Sequence, residues 1–145
     1  MLRRLCLSAV ARDALVAEAG AAGGAECCGL LAGTGEVVER IYPVPNAAEE
    51  RSARYEMAPA EMWAARRRAA ADGYEVLGFY HSHPRTAPVP SSYDVERAYY
   101  PDAIYAIVGP SAEPRVRAFR ISGGHVEEVE VVAQDAADLG PASLL

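Results

Sequence analysis

The feature that most constrains this chain is His81-Ser82-His83-Pro84, set between an apolar stretch and a proline-rich one. Glu75 to Tyr80 has the pattern of a buried strand, so the two histidines arrive at its end. Two residues apart, they project from the same side, because side chains along a strand alternate faces. Pro84 to Pro90 holds three prolines in seven residues, which fix φ and remove donors, so no regular element continues there. Ser91 or Ser92 then starts a short helix running to about Tyr99, with Asp94 in its first turn. A strand, an irregular loop and a helix start can return Asp94 to the side of the two histidines. Two imidazoles and one carboxylate form the three-ligand protein set of a catalytic zinc, which keeps its fourth position for water; a closed structural site wants four protein ligands, usually with cysteines. The expectation is a metal-activated water, and so hydrolysis.

The rest of the composition narrows the setting. A chain of 145 residues suffices for one domain with one core. Its net charge of -6 argues against sequence-independent nucleic-acid binding, which needs a basic footprint. Arg3-Arg4 followed by apolar residues superficially suits a signal peptide, but Arg12 and Asp13 interrupt the apolar run too early for a secretory core. No run approaches the roughly 18 apolar residues of a membrane helix. Three cysteines, two of them adjacent, cannot build a disulfide framework and suit a reducing cytoplasm.

Local signals predict an α/β chain. Leu5, Leu7 and Ala9 alternate as a first strand; Val10 to Ala22 is a helix stopped by Gly23-Gly24. Cys27 to Leu31 is an apolar strand, Gly33-Thr34-Gly35 a turn, and Glu36 to Val44 the next strand. Ala47 to Arg54 is an irregular charged loop. Pro59 to Asp72 is a helix with Pro in its first turn and Gly73 beyond its end. Ala103 to Val108, Arg115 to Ile121 and Val126 to Val132 are three further strands. Residues 1–134 form a single domain and 135–145 a flexible tail.

Several residues have ordinary readings. Ser91-Ser92-Tyr93-Asp94 is close to a capping box, in which hydroxyl and carboxylate satisfy free N–H groups of the first turn. The two roles are compatible, since a helix N-terminus keeps a carboxylate anionic, the state a metal ligand needs. A base for the metal-activated water could be Glu26, Glu36, Glu39 or Glu75. Glu26, just before the apolar strand, is best placed at the sheet rim, although a strand-edge charge is the commoner reading of such a residue. Cys27 and Cys28 are core residues, His125 lies in an exposed turn, Arg66-Arg67-Arg68 is a solvated helix face, with contact to an acidic patch of a partner as the lesser alternative, and Trp63 belongs to the core or its edge.

Glu26, His81-x-His83-Pro84 and Pro90-Ser91-x-x-Asp94 together resemble the JAMM (MPN+) metalloprotease motif at all five functional positions. Cys28-Gly29-Leu30-Leu31-Ala32-Gly33 and Gly78-Phe79-Tyr80 are similar to the strands that flank it. Pro45-Asn46, Arg54-Tyr55-Glu56-Met57 and the helix from Pro59 resemble the small prokaryotic branch acting on ubiquitin-like sulfur carriers. The resemblance implies a three-layer, cytidine deaminase-like fold with a curved mixed β-sheet flanked by helices. It implies that His81, His83 and Asp94 bind Zn2+, that Glu26 is the general base and that Ser91 donates to the oxyanion or the water. The implied substrate is the C-terminal tail of a ubiquitin-like β-grasp sulfur-carrier protein, cut after Gly-Gly. The rivals are a general deubiquitinase-like isopeptidase and a non-catalytic MPN scaffold. A homodimer is compatible with the resemblance; nucleic-acid and membrane partners are not expected.

Overall fold

The computed structural model describes residues 2–111, 113 and 115–134; the expected tail at 135–145 lies outside them. Within that span, strand β1 (Arg4–Leu7) stops sooner than its alternation predicts. Ser8 caps helix α1 (Ala9–Ala22), its hydroxyl accepting from the Ala11 N–H at 3.1 Å. A cap that satisfies a free N–H outweighs three residues of strand pattern, so Ala9 opens the helix. Gly23, at φ 61°, ends it, a left-handed conformation that glycine adopts without a Cβ penalty.

Strands β2 (Cys28–Thr34) and β3 (Val37–Val44) follow as an antiparallel pair. Gly33 and Thr34 belong to β2 rather than to the turn. The register shifts between Ala32 and Gly33, and a Cβ on Gly33 would run into the Val37 carbonyl, so the glycine serves a bulge. Helix α2 (Pro59–Ala71) has Pro59 at its start and buries Ala65 and Ala69. Trp63, expected in the core or at its edge, is 57% exposed. Next come β4 (Glu75–Ser82), the short α3 (Ser92–Glu96), β5 (Ile104–Val108), β6 (Val116–Ser122) and β7 (His125–Ala133). His125 is exposed as expected, but it begins β7 and pairs with Ser122.

Among the described residues the seven strands close into a barrel in the order β1-β3-β2-β4-β5-β6-β7. β1 runs parallel to both β3 and β7, β4 runs parallel to β5, and the other pairs are antiparallel. The curved mixed sheet with helices was expected; its closure was not. One apolar cluster draws on every strand and on Ala11 and Leu15 of α1. A second, on the opposite face, joins Cys28, Leu30, Tyr42, Phe79 and Ile107 to Ala65 and Ala69 of α2. Cys27 and Cys28 fall in different clusters, as the two-residue period of a strand requires.

β4 lies between β2 and β5, and its register decides what meets at its end. Cys28 pairs with His81; carried two places further, the same antiparallel register sets Glu26 opposite His83. Ser82 fastens this end, its N–H donating to the Cys27 carbonyl at 3.0 Å and its Oγ accepting from the Cys27 N–H at 2.9 Å.

Candidate metal centre

His81, His83, Asp94 and Glu26 are all buried and come together where β4 ends. Nε2 of His81, Nε2 of His83 and Oδ2 of Asp94 form a triangle with every edge 3.1 Å. Glu26 borders it, with a carboxylate oxygen and a ring nitrogen of each histidine all within 4.8 Å of one another. Asp94 is held by the predicted capping box: the Ser91 N–H donates to Asp94 Oδ2 at 2.9 Å, and the Asp94 N–H donates to Ser91 Oγ at 3.0 Å. Ser91 is exposed. Its oxygen is engaged by the cap, which leaves the hydroxyl proton to be donated elsewhere.

The protonation pattern explains what this triangle is suited to. Nδ1 of His83 lies 2.8 Å from the Ala87 carbonyl. A carbonyl only accepts, so Nδ1 carries the proton and a neutral His83 turns the lone pair of Nε2 toward the other two donors. That bond comes from the proline-rich loop, whose Pro88 packs on Gly109: a Cβ there would stand 2.9 Å from Pro88 Cδ. Burial lowers the pKa of His81 and favours its neutral ring. Burial alone would raise Asp94, but hydrogen bonds with His81 and His83 outweigh it and hold the carboxyl well below the usual range. Two imidazole nitrogens and a carboxylate oxygen therefore converge with more lone pairs than protons. Tetrahedral zinc with bonds of about 2.0–2.1 Å separates its donors by about 3.3–3.4 Å, so edges of 3.1 Å fit one cation of that size.

Glu26 differs from Asp94 in kind. Its Oε1 is buried and finds no hydrogen-bond partner among the described residues. Burial raises its pKa to about 7; His83 pulls it down when that ring is protonated, and the Asp94 charge pushes it up. The other candidate bases lie elsewhere. Glu36 is exposed near Arg4, 3.8 Å away; Glu39 accepts from the Thr34 hydroxyl; Glu75 begins β4, whereas His81 lies near its end.

Tyr55 stacks on His81 with ring centroids 4.4 Å apart, and Asn46 hydrogen-bonds the Glu26 carbonyl at 2.9 Å. Neither role was legible, although a loop asparagine after Pro45 is a turn signal, and Asn46 does accept from the Ala48 N–H two residues on. A groove lined by Tyr55, Met57, Met62, Tyr93, Tyr99 and Tyr100 reaches the site through Tyr55, the ring stacked on His81.

Known proteins resemble this chain over most of its length. Residues 8–122 match the family described as prokaryotic homologs of the JAB domain. A desampylase of Haloferax volcanii is 39% identical over 137 residues, covering 90% of this chain and 97% of the relative. A CysO-cysteine peptidase of Mycobacterium tuberculosis is 38% identical over 132 residues, covering 84% of this chain and 87% of the relative. The solution structure of a Desulfitobacterium hafniense protein superposes with a TM-score of 0.79 at 30% identity, covering 90% of this chain and 93% of that one. A structure described as a JAMM metalloprotease-like zinc site in the proteasome and signalosome shares the fold, at a TM-score of 0.57 and 21% identity over 89% of this chain and 98% of that one. The chain belongs to the prokaryotic JAB (JAMM/MPN+) family. It is accordingly an enzyme of the class that hydrolyses peptide bonds.

Proposed function

We propose that the protein is a zinc metallopeptidase that cuts the peptide or isopeptide bond after the C-terminal Gly-Gly of a ubiquitin-like, sulfur-carrier type protein. The observation that carries this reading is the 3.1 Å triangle of His81, His83 and Asp94 with the unpartnered Glu26 oxygen beside it. His81, His83 and Asp94 would hold the metal, which when bound supplies a Lewis acid and lowers the pKa of water to about 7. Glu26 takes the proton of the attacking water on its carboxylate as the water oxygen bonds to the scissile carbonyl carbon. The same proton passes to the leaving amine as the C–N bond breaks, so the carboxylate is regenerated. A carboxyl near 7 suits both halves of that transfer. The Ser91 hydroxyl donates to the oxygen on which negative charge develops.

The substrate class is supported by the desampylase and CysO-cysteine peptidase relatives and by the aromatic groove beside the site. An extended tail suits such a groove, and glycines let its backbone approach the buried donors without a Cβ in the way. The three cysteines, all free and buried, accord with a reducing cytoplasm. No described helix is long and apolar enough to cross a membrane. The test is to incubate the protein with carrier-tail fusions that differ only after Gly-Gly and weigh the products. Cleavage after Gly-Gly, lost on Gly→Ala at either position and much slower on the free tail peptide, is the expected result. Equal rates on unrelated peptides would replace this reading with a general peptidase.

A further inference from the structure

Glu26 lies two residues before β2 begins: the β2–β4 register directs it opposite His83, and bonds from outside the sheet must hold it there. The loop after β3 supplies them. Asn46 Nδ2 donates to the carbonyls of Glu26 at 2.9 Å and Arg54 at 3.0 Å, while its Oδ1 accepts from the N–H groups of Ala48 at 3.0 Å and Glu56 at 3.1 Å. These four bonds use the full donor and acceptor capacity of a carboxamide. The same loop holds the other polar group of the Glu26 backbone, whose N–H donates to the Arg51 carbonyl at 2.7 Å. The loop also delivers Tyr55, stacked on His81, and is fastened across to α3: Glu56 accepts from the Tyr93 hydroxyl at 2.9 Å, and the Arg54 guanidinium lies 4.9 Å from the Tyr93 ring centre.

We infer that Asn46 is a positioning residue. It ties this loop to the Glu26 backbone and thereby sets where the Glu26 carboxylate and the Tyr55 ring stand relative to His81, without itself reaching metal or substrate. The inference rests on Glu26 being the base of the proposed hydrolysis. Its two halves can be separated chemically. Asn46→Asp keeps Oδ1 to accept from Ala48 and Glu56, so the turn survives, but replaces the donor group with an oxygen facing the Glu26 and Arg54 carbonyls. Asn46→Ala removes both halves and, in a loop with this many bonds, endangers folding; Asn46→Asp therefore carries the test.

The experiment measures kcat and KM on a Gly-Gly fusion, zinc content after dialysis, and hydrogen exchange at individual amides for wild type and Asn46→Asp. A displacement of about 1 Å at a reacting group costs about 100-fold, so kcat is expected to fall by about 10- to 100-fold. KM should stay within about twofold and zinc content should be unchanged. The amides of Ala48 and Glu56 should keep their protection while that of Glu26 exchanges faster. A kcat within about twofold of wild type, or a loss of activity that follows a loss of zinc, overturns the inference. If wild type cleaves no Gly-Gly fusion, the proposed function fails instead. The Glu26 amide then still decides, since unchanged protection in Asn46→Asp refutes the tie.

Discussion

Removing the charge of Glu26 should stabilise the metal-free protein, and do so only where that charge exists. Glu26 is pushed from 4.5 to about 7 by burial, and each pKa unit corresponds to about 1.4 kcal/mol. The fold therefore binds the Glu26 proton more tightly than the unfolded chain does. The stability this group contributes is complete below about 4.5 and is lost as pH rises through about 7. Linkage over this range puts the loss between pH 5.5 and 8.5 at about 2 kcal/mol. Glu26→Gln keeps the shape and cannot ionise. A buried amide has its own desolvation cost, but that cost is the same at both pH values and cancels in the comparison. In excess chelator, the stability of Glu26→Gln minus that of wild type should thus be about 2 kcal/mol larger at pH 8.5 than at pH 5.5. For a chain of this length that is about 5–8 °C in Tm, readable by urea or thermal unfolding. A difference that does not change with pH, or that shrinks as pH rises, would mean that the carboxylate is solvated or paired, and the reasoning about its unpartnered oxygen would be wrong.

With metal present, the same Glu26→Gln protein should keep its zinc while turnover falls by about 100-fold or more, the scale of lost acid–base catalysis; wild-type turnover would move the base elsewhere. His81→Ala, His83→Ala or Asp94→Ala should lower zinc occupancy and abolish hydrolysis, and elemental analysis finding full occupancy in all three would remove the metal assignment. Ser91→Ala should slow turnover and also cost about 1 kcal/mol of stability through the lost cap, so unfolding and kinetics measured together separate the two effects. Gly109→Ala places a Cβ 2.9 Å from Pro88 Cδ. The proline-rich loop must shift, and the bond from His83 to the Ala87 carbonyl weakens. Zinc affinity measured by chelator competition should fall by about 10-fold or more, and unchanged affinity would show that the loop has room to move.

What could be read from the sequence was what local chemistry decides. Proline at the start of α2 and Gly73 after it bound that helix whatever it packs on, and Ser91 with Asp94 announces the capping box. The face α2 buries is another matter. Ala65 and Ala69 are its buried residues, because small side chains let a helix lie close on a sheet. Trp63, two positions before Ala65, points to the far side at about 100° per residue. An alanine-rich helix has little amphipathic contrast, so size misleads there. Barrel closure was illegible for a different reason. It depends on four-residue β1 meeting Val37 and Val38 on one side and Glu130 to Ala133 on the other, and no local pattern encodes pairings so distant. Among the site residues, His81, His83 and Asp94 share one short stretch and could be grouped from spacing. Glu26 stands out among four candidates by its place before the apolar strand, but the family resemblance is needed to settle on it, since its place depends on the register between β2 and β4.

That register has a consequence for how the molecule tolerates change. Cys28 opposite His81 fixes Glu26 against His83 by counting rungs, not by counting residues along the chain. The stretch that joins the two strands, with β3, the Asn46 loop and α2, could be lengthened at Ala58, after the loop that carries Tyr55 and Glu56 and before α2 begins, without moving either end of the site. A single residue inserted between Glu26 and Cys28, by contrast, would turn the carboxylate to the other face. The separation between glutamate and histidines is thus an elastic quantity in sequence and a rigid one in space, and engineered loops belong in the first region, never in the second.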